Sequence, residues 1–256
     1  MMTKASEGLS SPAPGPDFFE ARIQPLTKKF LTTGKRRQVY VWDLIRIGTF
    51  AVWPYYWLRA RMGKYAGARI NVAAGASRLP GWLNIDANPL RSPHIWADMR
   101  NRWPFREASI AAIVSSHFLE HLFDNELDHV LREMYRVLRP GGYLRISVPS
   151  LEKAIAQYVN AADGTELAER GQRFQLTCHW YGAHHQVFDF ERLRGLLAEL
   201  GFRDFQRPPF PQSGFCSVAE VIEIDRHADE SLFIECRKQP PLVSKDAFWS
   251  SSDSLR

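Results

Sequence analysis

Polar side chains capable of chemistry follow three apolar segments, at the point where each segment ends. The segment WLNID ends in Asp86, HIWAD ends in Asp98, and IAAIVS runs into Ser115, Ser116 and His117. A carboxylate in such a position can accept hydrogen bonds from both hydroxyls of a ribose, or from the exocyclic amine of a base. A single strand-end Asp often only caps the following turn. Three such strand ends in register indicate a ligand site.

These segments belong to an alternation of strands and helices. The first strand, Arg69–Ala73, runs into a turn of small residues at 74–77, which would let a ligand approach the backbone and a helix N-terminus. Further strands are predicted at 82–86, 94–98, 110–115, 143–149 and 231–236, and helices at 125–138 and 191–200. This order predicts an α/β fold with a doubly wound, mostly parallel sheet. Its ligand would lie beyond the carboxyl ends of the strands.

Four stretches carry a family resemblance: INVAAGASRLPGWLNIDANP, WADMRNRWPF, SSHFLEHL and LREMYRVLRPGGYLRISVP. In this order and spacing they resemble the class I S-adenosylmethionine-dependent methyltransferases, and most of all a branch with GW-N-ID, H-LEH and RVL-PGG motifs. HHQVFDFERLRGLLAELGF resembles the same family, so the resemblance covers Arg69 to Lys238. It implies a seven-stranded Rossmann-like sheet, S-adenosylmethionine as cofactor and a small-molecule methyl acceptor.

The resemblance also implies roles for individual residues. The methionine part of the cofactor would lie over Ala73, Ala74 and Gly75, and Asp86 would bind the ribose hydroxyls. The adenine would lie near Ala87, Asp98 and Met99, while Ser115 and Ser116 would lie beside the methyl donor. Arg139 to Gly142, the RPGG turn, would position a strand without contacting the cofactor.

Ala73 departs from the family pattern. The first loop normally reads Gly-x-Gly, and Ala73 takes the place of the first glycine. Glycine serves there either for close approach of the backbone or for a positive φ. Close approach would tolerate one methyl group, whereas a positive φ would weaken cofactor binding by about 1–2 kcal/mol. The departure leaves open a second function, that of a catalytically inactive methyltransferase-like scaffold.

Histidines supply the candidate catalytic groups. A base is needed only when the methyl acceptor is a hydroxyl or a protonated amine. His117, His184 and His185 are the predicted catalytic residues, and His121 is a further candidate base. His184 and His185 lie in a segment that commonly covers the acceptor pocket in this fold, and its aromatic character suits a sugar-like acceptor. A surface loop packed on the sheet edge is the alternative. The family pattern gives Glu120 and His121 a structural role at least as often as a catalytic one.

The composition fits one globular domain with extensions. Of 256 residues, 45% are hydrophobic and 24% charged, which allows a packed core and excludes wholesale disorder. Three scattered cysteines indicate a reducing, cytoplasmic setting, and the lack of a CxxC pair or an HExxH run predicts no metal site. The first residues lack the apolar stretch of a secretory signal. We predict tails at 1–35 and 239–256, a helical segment at 36–66 and a methyltransferase domain at 67–238.

Basic charge is concentrated in the N-terminal part of the chain. The net charge is +5, yet residues 21–69 contain eleven Lys and Arg and one acid, Asp43. A helix predicted at 41–58, kinked or ended by Pro54, is apolar nearly all round and needs burial. It could pack on the domain or on a second subunit, the oligomeric state being open. Its aromatic residues and flanking cations also match interfacial helices, so membrane-surface contact through 36–66 is the alternative. Unchanged liposome partitioning after deletion of residues 1–60 would contradict that contact.

Two other functions are disfavoured. A nicotinamide-dependent oxidoreductase would use Asp86 equally well, but the AAGASR loop lacks the GxGxxG fingerprint. A nucleic-acid methyltransferase would show a basic cleft or a base-flipping tetrapeptide after the fourth strand. SSHF stands at that point, in a domain that is net acidic. We therefore expect no nucleic-acid partner.

Overall fold

A computed structural model describes residues 35–160 and 167–239, so residues 1–34 and 240–256 of the predicted tails lie outside the described residues. In chain order the elements are α1 (Lys35–Arg61), β1 (Arg69–Val72), β2 (Leu83–Asp86), β3 (Ile95–Trp96), β4 (Ile110–Ser116), α2 (Asp124–Val137), β5 (Leu138–Pro149), α3 (Leu151–Val159), α4 (Leu167–His179), α5 (Phe190–Glu199), β6 (Phe202–Gln206), α6 (Val218–Ile224) and β7 (Ser231–Lys238). Short 3₁₀ turns occur at Pro89–Arg91, Leu119–His121 and Trp180–Gly182.

The seven strands form one sheet in the order β3-β2-β1-β4-β5-β7-β6. The first five are parallel to one another, and β7 runs antiparallel to both of its neighbours. Val72 is in register with Ile85 on one side and with Ser115 on the other, so β1, β2 and β4 end level with one another. The chain order reverses between β1 and β4, which makes this edge the switch point of the fold. The predicted doubly wound α/β fold is confirmed.

The connection from β1 to β2 contains no helix, so the expectation of a helix N-terminus beside the first turn was wrong. Residues 73–82 form turns instead, because the stretch is short and contains Pro80 and Gly81. Helix α6 covers this face of the sheet, and its Val221 and Ile224 pack with Leu79 and Trp82 of the connection. A late element of the chain therefore takes the place of the missing crossover helix.

Helix α2 packs on the opposite face of the sheet. Its buried residues recur with helical spacing, as the sequence predicts, and they are Leu127, Val130, Leu131, Met134 and Val137, with Glu133 beside them. The helix ends one residue earlier than expected, because Leu138 pairs with Ile110 of β4 and begins β5. The RPGG segment is therefore an irregularity within β5, and a Cβ on Gly142 would lie 2.8 Å from the carbonyl oxygen of Arg139.

The chain divides into two compact units, residues 1–47 and 48–256. Of the first unit the structure describes residues 35–47, which form the beginning of α1. The helix continues through Pro54 to Arg61, so of the two predicted effects of Pro54, a kink or an end, the end is wrong. Within the second unit, residues 48–61 pack on β3. A Cβ on Gly48 would lie 2.6 Å from the Trp96 ring, and the Trp53 indole donates to the carbonyl of Arg102.

The outer side of this half-helix exposes Phe50, Trp57 and Leu58. Among the described residues, no helix combines the length and apolar content that crossing a membrane requires. Contact with a membrane surface through 36–66 stays a prediction. Because residues 48–61 also pack on β3, replacing Phe50 and Trp57 by Ser tests that contact with less damage to the fold than a deletion would.

Candidate functional site

Asp86 lies at the carboxyl end of β2 and joins two loops. Its Oδ2 accepts a hydrogen bond from the backbone N–H of Gly75 at 2.7 Å, and its Oδ1 accepts one from the backbone N–H of Asn88 at 2.7 Å. An ionised carboxylate has about four acceptor positions, so two hydrogen bonds leave it able to accept more. Asp86 therefore presents an oriented, partly buried carboxylate next to the loop that ends β1.

In the loop after β1, Ala73 adopts a positive φ, which is one of the two possibilities that the sequence allows. Ala73 has a φ of 52° and Gly75 a φ of 55°, so both lie in the left-handed region. For Ala73 this conformation costs about 1–2 kcal/mol relative to glycine. The N–H of Ala74 donates to the carbonyl of Ile85 at 2.9 Å, which fixes the loop to β2. A Cβ added to Gly75 would meet only the Ala73 carbonyl, at 4.0 Å, so the space beside this backbone is open.

A pocket opens beside this loop. The predicted residues Ala74, Gly75 and Asp86 line it together with Arg78, Arg91 and His94. The Arg78 guanidinium donates to the carbonyl of Ser92 at 2.6 Å, which ties the two walls of the pocket together. The basic lining residues were not among the predicted site residues.

The end of β3 is more tightly packed than the end of β2. The Asp98 carboxylate accepts hydrogen bonds from the Arg100 side chain at 2.9 and 2.8 Å, and it is nearly inaccessible to solvent. Met99 is buried in the core, and the carbonyl of Ala87 accepts from the Trp96 indole at 2.8 Å. A role for Asp98 in binding an adenine amine stays a prediction, since the carboxylate already holds a guanidinium.

The end of β4 brings Ser115, Ser116 and His117 to the same edge of the sheet. Ser115 is buried, and its hydroxyl has no hydrogen-bond partner among the described residues. The Ser116 hydroxyl accepts from that of Ser147 at 2.8 Å. His117 has a φ of 50°, and its Nε2 lies 2.7 Å from the Ser231 hydroxyl. The strained conformation turns the His117 ring towards β7.

Glu120 lies at the centre of a histidine cluster, hereafter defined by Glu120, His117, His121 and His184. Only 1% of Glu120 is exposed, and neither carboxylate oxygen accepts a hydrogen bond from a described residue. Its Oε1 lies 3.2 Å from His117 Nδ1 and 4.0 Å from His121 Nε2. The rings of His121 and His184 lie 5.0 Å apart. The cluster begins directly beyond the end of β4.

The adjacent residues His184 and His185 point to different places. His184 Nδ1 lies 2.9 Å from the carbonyl oxygen of Thr177, and burial lowers the pKa of its imidazole. His185 stacks on the ring of Phe123 at 4.0 Å, away from the cluster. Of the three predicted catalytic histidines, the structure therefore brings together His117 and His184.

Sequence reasoning missed the central role of Glu120 in this arrangement. Glu120 and His121 were given a structural role at least as often as a catalytic one, yet both face the cluster. The adjacent positions Glu120 and His121, directly after a strand end with His117, were the available signal. Cys178 and His179 lie at the end of helix α4.

The seven-stranded, mostly parallel sheet has the Rossmann-like methyltransferase fold. Residues 79–146 match the family model of the methyltransferase domain. The resemblance to the class I S-adenosylmethionine-dependent methyltransferases is thereby confirmed. No curated protein matches the sequence.

Solved structures with a similar fold come from several organisms. A possible exported protein from Bordetella parapertussis is 16% identical with a TM-score of 0.46, and the match covers 73% of this chain and 67% of the other. A SAM-dependent methyltransferase from Archaeoglobus fulgidus is 17% identical with a TM-score of 0.45, covering 74% and 94%. A possible histamine N-methyltransferase from Thermotoga maritima is 16% identical with a TM-score of 0.45, covering 86% and 98%.

Proposed function

We propose that this chain is an S-adenosylmethionine-dependent methyltransferase that acts on a small-molecule acceptor. The observation that carries the proposal is the position of the Asp86 carboxylate. It lies at the carboxyl end of β2, bonded to the left-handed loop that ends β1. In an open α/β sheet, a ribose is bound at this place, outside the strand ends at the switch point.

The residues at this edge fit a nucleoside-like cofactor. Asp86 keeps acceptor capacity for two hydroxyls after its two backbone hydrogen bonds. The backbone beside Gly75 faces open space. The Ser115 hydroxyl lies at the same edge, buried and without a hydrogen-bond partner among the described residues. These three features lie at strand ends that are level with one another.

The proposed roles follow the order of the strands. Ala73, Ala74 and Gly75 would hold the methionine part of the cofactor, and Asp86 its ribose. Ala87, Asp98 and Met99 would form the adenine end, and Ser115 and Ser116 would lie beside the reactive methyl group. S-adenosylmethionine, when bound, supplies a methyl group on a positively charged sulfur. The protein's part is therefore mainly alignment of the acceptor and exclusion of water.

We propose a sugar-derived acceptor on the side of the histidine cluster. Trp180 and Tyr181 expose their rings there, and Trp180 lies 5.7 Å from the His121 ring and 5.6 Å from the His184 ring. Aromatic faces combined with imidazole nitrogens suit a ring that bears hydroxyls. His117 and His184 are the imidazoles proposed to contact the acceptor. His185, stacked on Phe123, contributes to the shape of this segment instead.

Calorimetric binding of S-adenosylhomocysteine to the full chain tests the proposed cofactor. The wild type is expected to bind with a Kd on the order of micromolar. Asp86→Ala removes the acceptor of two hydroxyl hydrogen bonds and should weaken binding by at least about 100-fold. Asp128→Ala is the matched control, because that carboxylate pairs with Arg132 on the exposed surface of α2. Equal binding by wild type and Asp86→Ala would contradict the proposal.

Cofactor binding by an Ala73→Gly variant distinguishes an active enzyme from a catalytically inactive scaffold. Glycine at this left-handed position relieves strain of about 1–2 kcal/mol and should tighten cofactor binding if the loop is strained by the ligand. A wild type that fails to bind, together with a variant that binds, would identify Ala73 as the change that disabled the site. Failure of both would favour a scaffold that has lost the cofactor altogether.

A further inference from the structure

We propose that Glu120, His121 and His184 form a binding site for a divalent transition-metal ion at the carboxyl end of β4. One carboxylate oxygen and one nitrogen from each imidazole all lie within 4.8 Å of one another. Ligand atoms around a bound zinc ion lie about 2.0–2.2 Å from the metal. The three side chains therefore need only to draw together slightly to share an ion.

Hydrogen bonds to backbone carbonyls set the tautomers of the two histidine ligands. His121 Nδ1 lies 3.0 Å from the carbonyl oxygen of Ala183, and His184 Nδ1 lies 2.9 Å from that of Thr177. A carbonyl oxygen only accepts, so each Nδ1 carries the proton and donates. Each Nε2 then carries the lone pair of a neutral imidazole, and that of His121 lies 4.0 Å from Glu120 Oε1. Metal-binding histidines are characteristically oriented by such a bond from the other ring nitrogen.

His117 adds another electron pair to the same space. The Ser231 hydroxyl donates to the carbonyl of His227 at 2.6 Å, so it accepts from His117 Nε2, 2.7 Å away. In the neutral imidazole His117 Nδ1 then carries the lone pair, and it lies 3.2 Å from Glu120 Oε1 without the alignment of a hydrogen bond. With neutral imidazoles, the buried Glu120 carboxylate thus has lone pairs of His117 and His121 within 4.0 Å and no hydrogen-bond donor among the described residues.

A cation resolves this excess of acceptors. A buried carboxylate without a partner costs several kcal/mol, and lone pairs that face it add to the repulsion. Two imidazoles and one carboxylate form a ligand set found in metal sites that keep open coordination positions. The alternative source of positive charge is a proton on one of the imidazoles, which the experiment below distinguishes.

The place of the site suggests its use, which rests on the proposed function. The ion would lie next to Ser115, Ser116 and His117, where the methyl acceptor is proposed to bind. An open coordination position could take an oxygen of the acceptor and orient it. Trp180, which contacts the rings of His121 and His184, would cover the ion on the solvent side. Metal binding itself does not depend on the identity of the reaction.

No metal site could be predicted from the sequence, because one of the three ligands is far from the other two along the chain. His184 lies beyond β5, α3 and α4 from the Glu120-His121 pair. The turn that carries His121 and the segment that carries His184 meet through the backbone, since the N–H groups of His185 and Gln186 both donate to the carbonyl of Glu120. This contact does not involve the Glu120 side chain, so that side chain can be changed without removing it.

Titration of the tag-free, metal-free full chain with Co²⁺ tests the proposal, with visible absorption as the readout and Zn²⁺ as competitor. The wild type is expected to bind one Co²⁺ with the spectrum of nitrogen and oxygen coordination, and Zn²⁺ should displace it. Glu120→Gln and His184→Gln should each lose at least about 100-fold in affinity, more than a change outside the first ligands costs. His185→Gln, next to His184 but stacked on Phe123, should bind like the wild type.

Two results would overturn the proposal: no stoichiometric binding by the wild type, or binding that survives in both ligand variants. The first would assign the charge in the cluster to a protonated imidazole. Circular dichroism and melting temperatures of all variants exclude loss of fold as the cause. S-adenosylhomocysteine binding on the same samples separates the two hypotheses, because it tests the proposed function without reference to the metal.

Discussion

Two buried charged clusters lie in this sheet, and they are built in opposite ways. Arg145 on β5 is completely buried and donates to Asp225 and to Glu235, at 2.7 Å in each case. Glu120, beyond the end of β4, is equally buried but receives no hydrogen bond from a described residue. In the first cluster a cation pairs with two anions, although Asp225 Oδ1 has no hydrogen-bond partner among the described residues. In the second cluster, acceptors face acceptors.

We interpret the Arg145 cluster as structural and the Glu120 carboxylate as a candidate functional group. Arg145, Asp225 and Glu235 connect β5, β7 and the segment after α6, so their pairing closes the fold on the side of the missing crossover helix. Removing one member of such a cluster leaves an uncompensated buried charge. Glu120 connects no pair of elements through its carboxylate. Its cost is compensated only when something from outside, an ion or a proton, enters the cluster.

Arg145→Met gives the largest expected effect. The substitution leaves two buried carboxylates without their cation, which should lower the free energy of unfolding by about 3–5 kcal/mol. Urea denaturation followed by circular dichroism measures this loss. Arg132→Met is the control, since that arginine pairs with Asp128 on the surface and should change stability by less than about 1 kcal/mol. Equal stability of the two variants would show that the Arg145 cluster does not hold the fold.

Glu220 of helix α6 is a further carboxylate that is paired, like those around Arg145. It accepts from the Trp82 indole at 2.7 Å and pairs with Arg69 at 3.1 Å, and it completes the capping box of its own helix with Ser217. Burial alone would raise the pKa of Glu220, but the donors Trp82 and Ser217 outweigh burial and hold the pKa below its usual value. Its stabilisation is therefore present above a pH of about 4.3 and is lost as the pH falls through the folded-state pKa.

Glu220→Gln should cost on the order of 1 kcal/mol at pH 7. The difference from the wild type should shrink below a pH of about 4, because the wild-type carboxyl then also becomes neutral. Urea midpoints of both proteins at pH 7 and pH 3 measure this convergence. Glu191→Gln, which removes an exposed pair with Arg194, serves as control and should show little change at either pH. A difference that grows at pH 3 would contradict the assignment.

Features that depend on a short stretch of the sequence could be predicted. The apolar run of β4, the spacing of α2 and the carboxylate that ends β2 are local patterns, and all three appear in the structure where they were expected. The missing helix after β1 was not foreseen, because its replacement, α6, lies far along the chain. Helices α3 and α4 were also missed. They flank residues 161–166.

The prediction of a site depends on contacts between residues that are far apart in the chain, more than the prediction of a strand does. Asp86 could be predicted as a candidate because the end of a strand can be located from the local sequence. Glu120 could not, because its significance depends on which ring nitrogens of His117, His121 and His184 face it. Those orientations are set by carbonyls and a hydroxyl from α4, its following turn and β7. No spacing rule contains that information.

Glu120→Gln should have the smallest effect on the stability of the metal-free protein. The Gln side chain has nearly the same shape, and its N–H groups can donate to the lone pairs that the carboxylate repels. The free energy of unfolding should therefore stay within about 1 kcal/mol of the wild type, or rise. Urea denaturation in the presence of a chelator measures it.

Adding Zn²⁺ should make the wild type more stable than Glu120→Gln. A ligand at about 100 times its Kd stabilises the folded state by about 2.7 kcal/mol, so the wild type should gain roughly that amount and Glu120→Gln almost nothing. If Glu120→Gln were instead as damaging as Arg145→Met without metal, the carboxylate would be part of the fold's own charge pairing. The contrast between the two clusters would then fail, since a charge that the protein already satisfies has no need of an ion.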